Sequence, residues 1–100
     1  MELARTVYLV TEEFPKSETF GLRMQLRRSA VSIASNIAEG HGRLTDAQLR
    51  NSLGMARGSL FELQTQTQLA CDLNFINQQS GERLLNSGVE VANGLLGVLE

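Results

Sequence analysis

Apolar residues return at helical spacing in four separate stretches of the chain. Leu3, Val7, Val10 and Phe14 recur at intervals of four, three and four, which places them on one face of a helix. Pro15 closes that stretch, because the residue before a proline is pushed out of helical geometry. A short first helix over 2–13 is expected, followed by a connection through Phe20 and Gly21. Leu22, Leu26, Ala30, Ile33 and Ile37 then mark a second helix over 21–39. The run Gly40-His41-Gly42-Arg43-Leu44 interrupts it, and Thr45 with Gln48 three residues later forms a capping-box pattern. From there Leu49, Leu53, Ala56, Leu60, Leu63, Thr67 and Ala70 alternate by four and three, which predicts a long third helix over 45–73. A polar break from Asn74 to Ser80 offers Asn77 as a cap. Leu84, Leu85, Val89, Ala92, Leu95, Leu96 and Leu99 then form the broad apolar arc of a fourth helix over 78–99.

Four helices with short connections predict an all-α fold, an antiparallel up-and-down four-helix bundle occupying residues 1–100 as a single domain. A chain of this length buries only about two thirds of its unfolded surface, so its core must be economical or shared. Two further stripes point to sharing. Met24, Val31 and Ala38 lie far around the wheel from the core positions of the second helix, and Met55, Leu69 and Leu73 lie well off the seam of the third. These six residues are the candidate oligomer interface, since one small bundle cannot bury two apolar faces per helix.

Composition narrows the partners. The formal net charge is -2, so nothing in the total calls for nucleic acid or an acidic membrane surface. Eight of the nine cationic residues are nevertheless Arg, with Lys16 the exception, and Arg suits bidentate contacts with carboxylate or phosphate. Arg23, Arg27, Arg28, Arg43, Arg50 and Arg57 are therefore the candidate nucleic-acid-binding residues, an RNA-facing surface that an assembly would repeat. Nearby carboxylates argue against it, as does the scarcity of aromatic residues to stack on bases: Tyr8 falls on the first helix and Phe20 is expected to be packed. Cys71 stands alone, which excludes an internal disulfide and a cysteine-based metal site, and it reads as a small core filler in a reducing compartment. With no signal pattern at the amino terminus and no apolar run of about twenty residues, a cytoplasmic protein that does not enter membranes is expected. His41, the lone histidine, sits between glycines with no partner at metal-ligand spacing and reads as a solvated turn residue. No convergent titratable cluster is visible, so neither catalytic residues, metal nor cofactor are assigned and the chain is not expected to be an enzyme.

The segments Ser32-Ile33-Ala34-Ser35-Asn36-Ile37-Ala38-Glu39-Gly40 and Ala56-Arg57-Gly58-Ser59-Leu60-Phe61-Glu62-Leu63 closely resemble the signature of one family. This is the family of four-helix-bundle proteins encoded in intervening sequences of bacterial 23S ribosomal RNA genes. Thr11 through Phe14-Pro15, Gly21-Leu22, Gln25-Leu26-Arg27-Arg28 and Asn93-Gly94-Leu95 extend the likeness over essentially the whole chain. The resemblance implies an antiparallel bundle assembled as a ring, a homopentamer. The family's genomic origin suggests ribosomal RNA, and the accessory proteins of diversity-generating retroelements look like relatives that bind nucleic acid through basic surfaces. This chain departs from both in its mild acidity, and its first helix is short for the family.

Within those motifs, Asn36, Glu39, Gly40, Gly58 and Glu62 have structural readings. Gly58 inside a helix should mark a contact too tight for a methyl group. Asn36 flanks the core and should bond a neighbouring group. If the second and third helices form a hairpin, Arg23 or Arg27 comes level with Glu62, and Glu39 with Arg43 or Arg50. Two functions follow. The first is a non-catalytic oligomeric bundle that binds RNA or a ribonucleoprotein through an Arg-bearing face. The second is an oligomeric scaffold or protein-interaction module with no nucleic-acid role. A ligand held in a bundle cavity is a third, for which no polar pocket is visible in the sequence.

Overall fold

Four α-helices carry the chain: α1 (Glu2–Thr11), α2 (Leu22–His41), α3 (Asp46–Asp72) and α4 (Gln78–Leu99). A single 3-10 turn at Lys16–Glu18 lies between the first two. The computed structural model describes residues 2–18 and 20–99, with side chains described as far as Leu95, and no strand occurs among the described residues. The most extensive packing is between α2 and α3, followed by α3 with α4, and α1 lies against both α2 and α4, which makes a four-helix bundle.

The apolar stripes read from the sequence form one core. Leu3, Val7, Val10 and Phe14 meet Leu22, Leu26, Ala30 and Ile33, and these meet Leu53, Ala56, Leu60, Leu63, Ala70, Leu84 and Leu95. Ile37, Leu49 and Ala92 are only partly buried against that cluster. Val89, expected in the buried arc of α4, is about half exposed. It falls at the margin of a stripe centred on Leu84, Gly88 and Leu95, where a helix surface turns toward solvent. The side chains of Leu96 and Leu99, assigned to the same arc, lie outside the described residues.

The helix ends show which local signals governed. α1 stops at Thr11, two residues before its expected limit, and Glu13 and Phe14 close onto the carbonyls of Val10 and Thr11. Phe14 then packs at 5.7 Å between ring centres on Phe75 of the α3–α4 turn. Phe20, expected to be packed, is 84% exposed, because the 3-10 turn carries the chain past the core before α2 begins. α2 continues through Gly40 to His41 instead of breaking, so His41 belongs to the last helical turn. Gly40 serves close packing: a Cβ there would sit 3.1 Å from Leu49 Cδ1 and 3.4 Å from the Cβ of Ser52. Thr45 caps α3 by accepting from Gln48 N at 3.2 Å, and Asn77 caps α4 by accepting from Ser80 N at 2.7 Å. α3 ends with Asn74 in the left-handed region at φ 61°, while Phe75 N returns to Ala70 O at 2.9 Å.

Cys71 and Gly81 meet closely where α3 packs on α4. A Cβ on Gly81 would overlap the Cys71 sulfur. Burial, together with the Asp72 and Glu82 charges, pushes the thiol above its ordinary pKa, so it remains a neutral packing group. Gly81→Ala should therefore destabilise the fold by about 1 to 3 kcal/mol through overpacking. The Cys71→Ala/Gly81→Ala double variant should recover wild-type stability, helped by alanine's better helix propensity. Urea denaturation of wild type and the two variants checks this; a Gly81→Ala single variant as stable as wild type would contradict it.

Candidate assembly interface on the second and third helices

Small polar side chains line the seam where α2 meets α3. Ser29 Oγ donates to Gln66 Oε1 at 2.9 Å, and the hydroxyls of Ser32 and Ser59 share a hydrogen bond of 2.8 Å. Asn36 donates to Ser32 O at 2.8 Å and to Ser32 Oγ at 3.3 Å, so its polar contacts stay within its own helix and extend the seam network. Above these bonds runs a shallow groove of about 400 Å³, with Gln25 and Arg28 on the α2 side and Glu62 on the α3 side.

On the α2 shoulder a second groove of about 700 Å³ begins, sharing Arg28 and Ser32 with the first. Its floor is Tyr8, Met24 and Val31; its rim is Arg23, Arg27 and Arg28. Arg27 is held by α1. Its Nε donates to Thr11 Oγ1 at 2.8 Å, and its Nη2 donates to Tyr8 O at 3.2 Å and to Glu12 Oε1 at 3.0 Å. The guanidinium carbon also lies 4.5 Å from the centre of the Tyr8 ring. One cation thus closes the carboxyl end of α1, where helix carbonyls lack partners and positive charge is favoured. Arg23 Nη2 shares the same carboxylate, at 3.2 Å from Glu12 Oε2, while its buried Nε has no acceptor among the described residues.

On the α3 shoulder Met55, Leu69 and Leu73 are each about half exposed, as is Val31 across the seam. Ala38 is exposed and Met24 partly buried. All six interface candidates therefore keep some or much of their surface outside the core, and those of α3 lie on the line of Glu62, at intervals of seven residues for Met55 and Leu69. Phe61, half exposed on α3, was not singled out from the sequence; its ring lies 5.2 Å from the Arg57 guanidinium. The signal was the four-residue spacing of Arg57 and Phe61 on a helix already assigned.

The six candidate arginines do not form one surface. Arg23 and Arg27 are engaged by Glu12, not by Glu62 as the hairpin register suggested, because α1 brings its own carboxylate closer. Arg43 pairs with Glu39 at 3.0 Å, one of the two partners expected for that glutamate. Arg28, Arg50 and Arg57 have no carboxylate partner among the described residues. Gly58 marks no tight contact within the chain: a Cβ there would meet nothing within 4 Å, and Gly54 one turn earlier is equally open. The expectation of a close intrachain approach fails because Gly58 points away from both neighbouring helices, onto the exposed side of α3. Among the described residues no group of three or more His, Cys, Asp or Glu is placed to hold a metal ion. No described helix is long and apolar enough to cross a membrane.

Residues 1–97 match the family of 23S rRNA-intervening sequence proteins. The chain belongs to that family. As a 23S rRNA-intervening sequence protein it also shares its fold with a solved structure from Bacteroides thetaiotaomicron, a protein of unknown function of the S23 ribosomal protein family. The two superpose with a TM-score of 0.91 over 99% of this chain and 93% of the other, at 22% identity. No curated protein matches the chain. At that identity the neighbour establishes the fold alone.

The clamp has a pH dependence. The Arg27 hydrogen bond, then the Arg23 charge, holds the Glu12 carboxyl below its ordinary value of 4.5. A depressed carboxylate pKa contributes stability above the unfolded value, and that contribution is lost as pH falls through the folded one. Acidification below 4.5 should thus loosen α1. Thermal melts followed by helical circular dichroism should show a smaller drop between about pH 6 and about pH 3 in Glu12→Gln than in wild type. Equal drops would mean that the pair does not contribute.

Proposed function

We propose that this protein is a non-catalytic building block that assembles with copies of itself through the outer face of α2 and α3. The observation that carries the reading is the uncovered line of Val31, Met55, Leu69 and Leu73 around a shallow seam, each side chain about half exposed in the single chain. Exposed apolar surface in this quantity, flanked by polar groups, marks an interaction site. Gly54 and Gly58 add to it. Glycine in a helix interior costs up to about 1 kcal/mol relative to alanine, and no contact among the described residues explains either position. A second helix lying across α3 would.

The bundle in this reading is antiparallel and up-and-down, supported by the pairing of Ser29 with Gln66, Ser32 with Ser59 and Gly40 with Ser52, where numbers rise on α2 as they fall on α3. Copies join into a closed ring in the cytoplasm, five being the number that the family resemblance implies. RNA binding is the second reading, supported by Arg50 and Arg57, which have no carboxylate partner among the described residues, and by the Arg57–Phe61 stack, a surface on which a base could lie. The engagement of Arg23, Arg27 and Arg43 by carboxylates favours assembly over RNA as the primary role.

Light scattering on the pure protein tests both. Wild type should be a multimer near five subunits, and Val31→Glu/Leu69→Glu should be a folded monomer with an unchanged helical spectrum. A monomeric wild type would overturn the assembly reading. Adding a ribosomal RNA fragment at low and moderate salt should leave the multimer's mass unchanged; a salt-sensitive complex lost in Arg50→Ala/Arg57→Ala would promote the second reading to the first.

A further inference from the structure

Glu62 is a charge to which the fold gives no ion-pair partner among the described residues. It is exposed and stands between Met55 and Leu69 in an otherwise apolar line, seven residues from each. α2 carries the matching line, Met24, Val31 and Ala38, at the same spacing. Seven residues rise about 10.5 Å along a helix, so the two lines have equal repeat lengths.

We infer that Glu62 of one copy pairs with Arg28 of another, and that this ion pair sets the register of the assembly. The inference rests on the assembly reading above. When the α3 line of one copy lies along the α2 line of the next, in either direction, seating Met55 and Leu69 against the two ends of the partner line brings Glu62 to Val31. Arg28 is one helical turn away from Val31. It lines both grooves on this face and has no carboxylate partner among the described residues. Arg23, on the rim beside it, has a buried Nε without an acceptor, and Glu12 is shared between Arg23 and Arg27, so the rim holds an excess of positive charge.

The two charges also face one another across the seam groove within a single chain, yet they form no ion pair there. Both therefore remain open to a neighbour. A lone carboxylate in the middle of an apolar contact disfavours association unless a cation meets it, so Glu62 favours the register that places Arg28 beside it and disfavours slipped ones. A second copy fits this face better than an acidic or basic partner, because the face presents both charges and both apolar lines to itself.

The test is association of charge-reversed variants by sedimentation equilibrium. Glu62→Arg and Arg28→Glu should each stay folded by circular dichroism and each weaken self-association at least about tenfold, since each sets like charges together. An equimolar mixture of the two should regain association between unlike copies, because the arginine introduced in one variant then meets the glutamate introduced in the other. Strict alternation closes only rings of even number, so the rescue is read as mixed dimers and larger species and not as a restored five-membered ring. An intrachain pair could not be repaired by mixing. If wild type associates while either single variant associates equally well, or while the mixture remains dissociated, the pairing is wrong although the assembly reading stands. If wild type itself does not associate, the assembly reading fails first.

Discussion

The Arg27 guanidinium ties α1 to α2. α1 has ten residues, too few for a helix to persist alone in water, and it is held by its buried stripe and by the side chain that closes its carboxyl end. Thr11, Tyr8 and Glu12 all contribute to that closure, so four chemically different contacts converge on one cation. With α1 secured on one flank of α2 and α3 secured on the other by the serine seam, α2 has two neighbours and one remaining side. That side carries Val31 and Ala38, and α3 carries its own exposed line beside it.

The same clamp alters the electrostatic reading of the chain. Arg23 and Arg27 would stand on a basic face if the helices were drawn as isolated wheels; in the bundle they serve to attach α1. What remains is a mixed surface, with Arg28 and Glu62 on opposite banks of the seam and apolar residues on both shoulders. Such a surface complements itself, whereas a polyanion needs concentrated positive charge. The separate pairing of Arg57 with Phe61 is the part of the molecule most suited to a base.

Much of this architecture was legible because the signals are periodic. The core stripes of α2 and α3 and the caps at Thr45 and Asn77 depend on residues within a few positions of one another. The misreadings came from contacts between distant residues. Gly40 looked like a helix breaker, but α3 packs against it and the helix continues. Gly58 marks no close contact within the chain, where the tight approaches fall at Gly40 and Gly81. Nothing in the spacing links Glu12 to the second helix, and only the placement of α1 shows that it meets Arg23 and Arg27. Spacing reveals which face a residue occupies; the partner on that face is set by the tertiary fold.

Methionine oxidation, mapped by mass spectrometry as a function of protein concentration, tests the central claim most directly. Met55 is 56% exposed in the single chain and lies on the proposed contact line. Met55 should resist hydrogen peroxide in concentrated protein and become reactive on dilution, as copies separate. A Met55 that reacts equally fast at every concentration would show that the outer face of α2 and α3 is bare in solution, and would contradict the account.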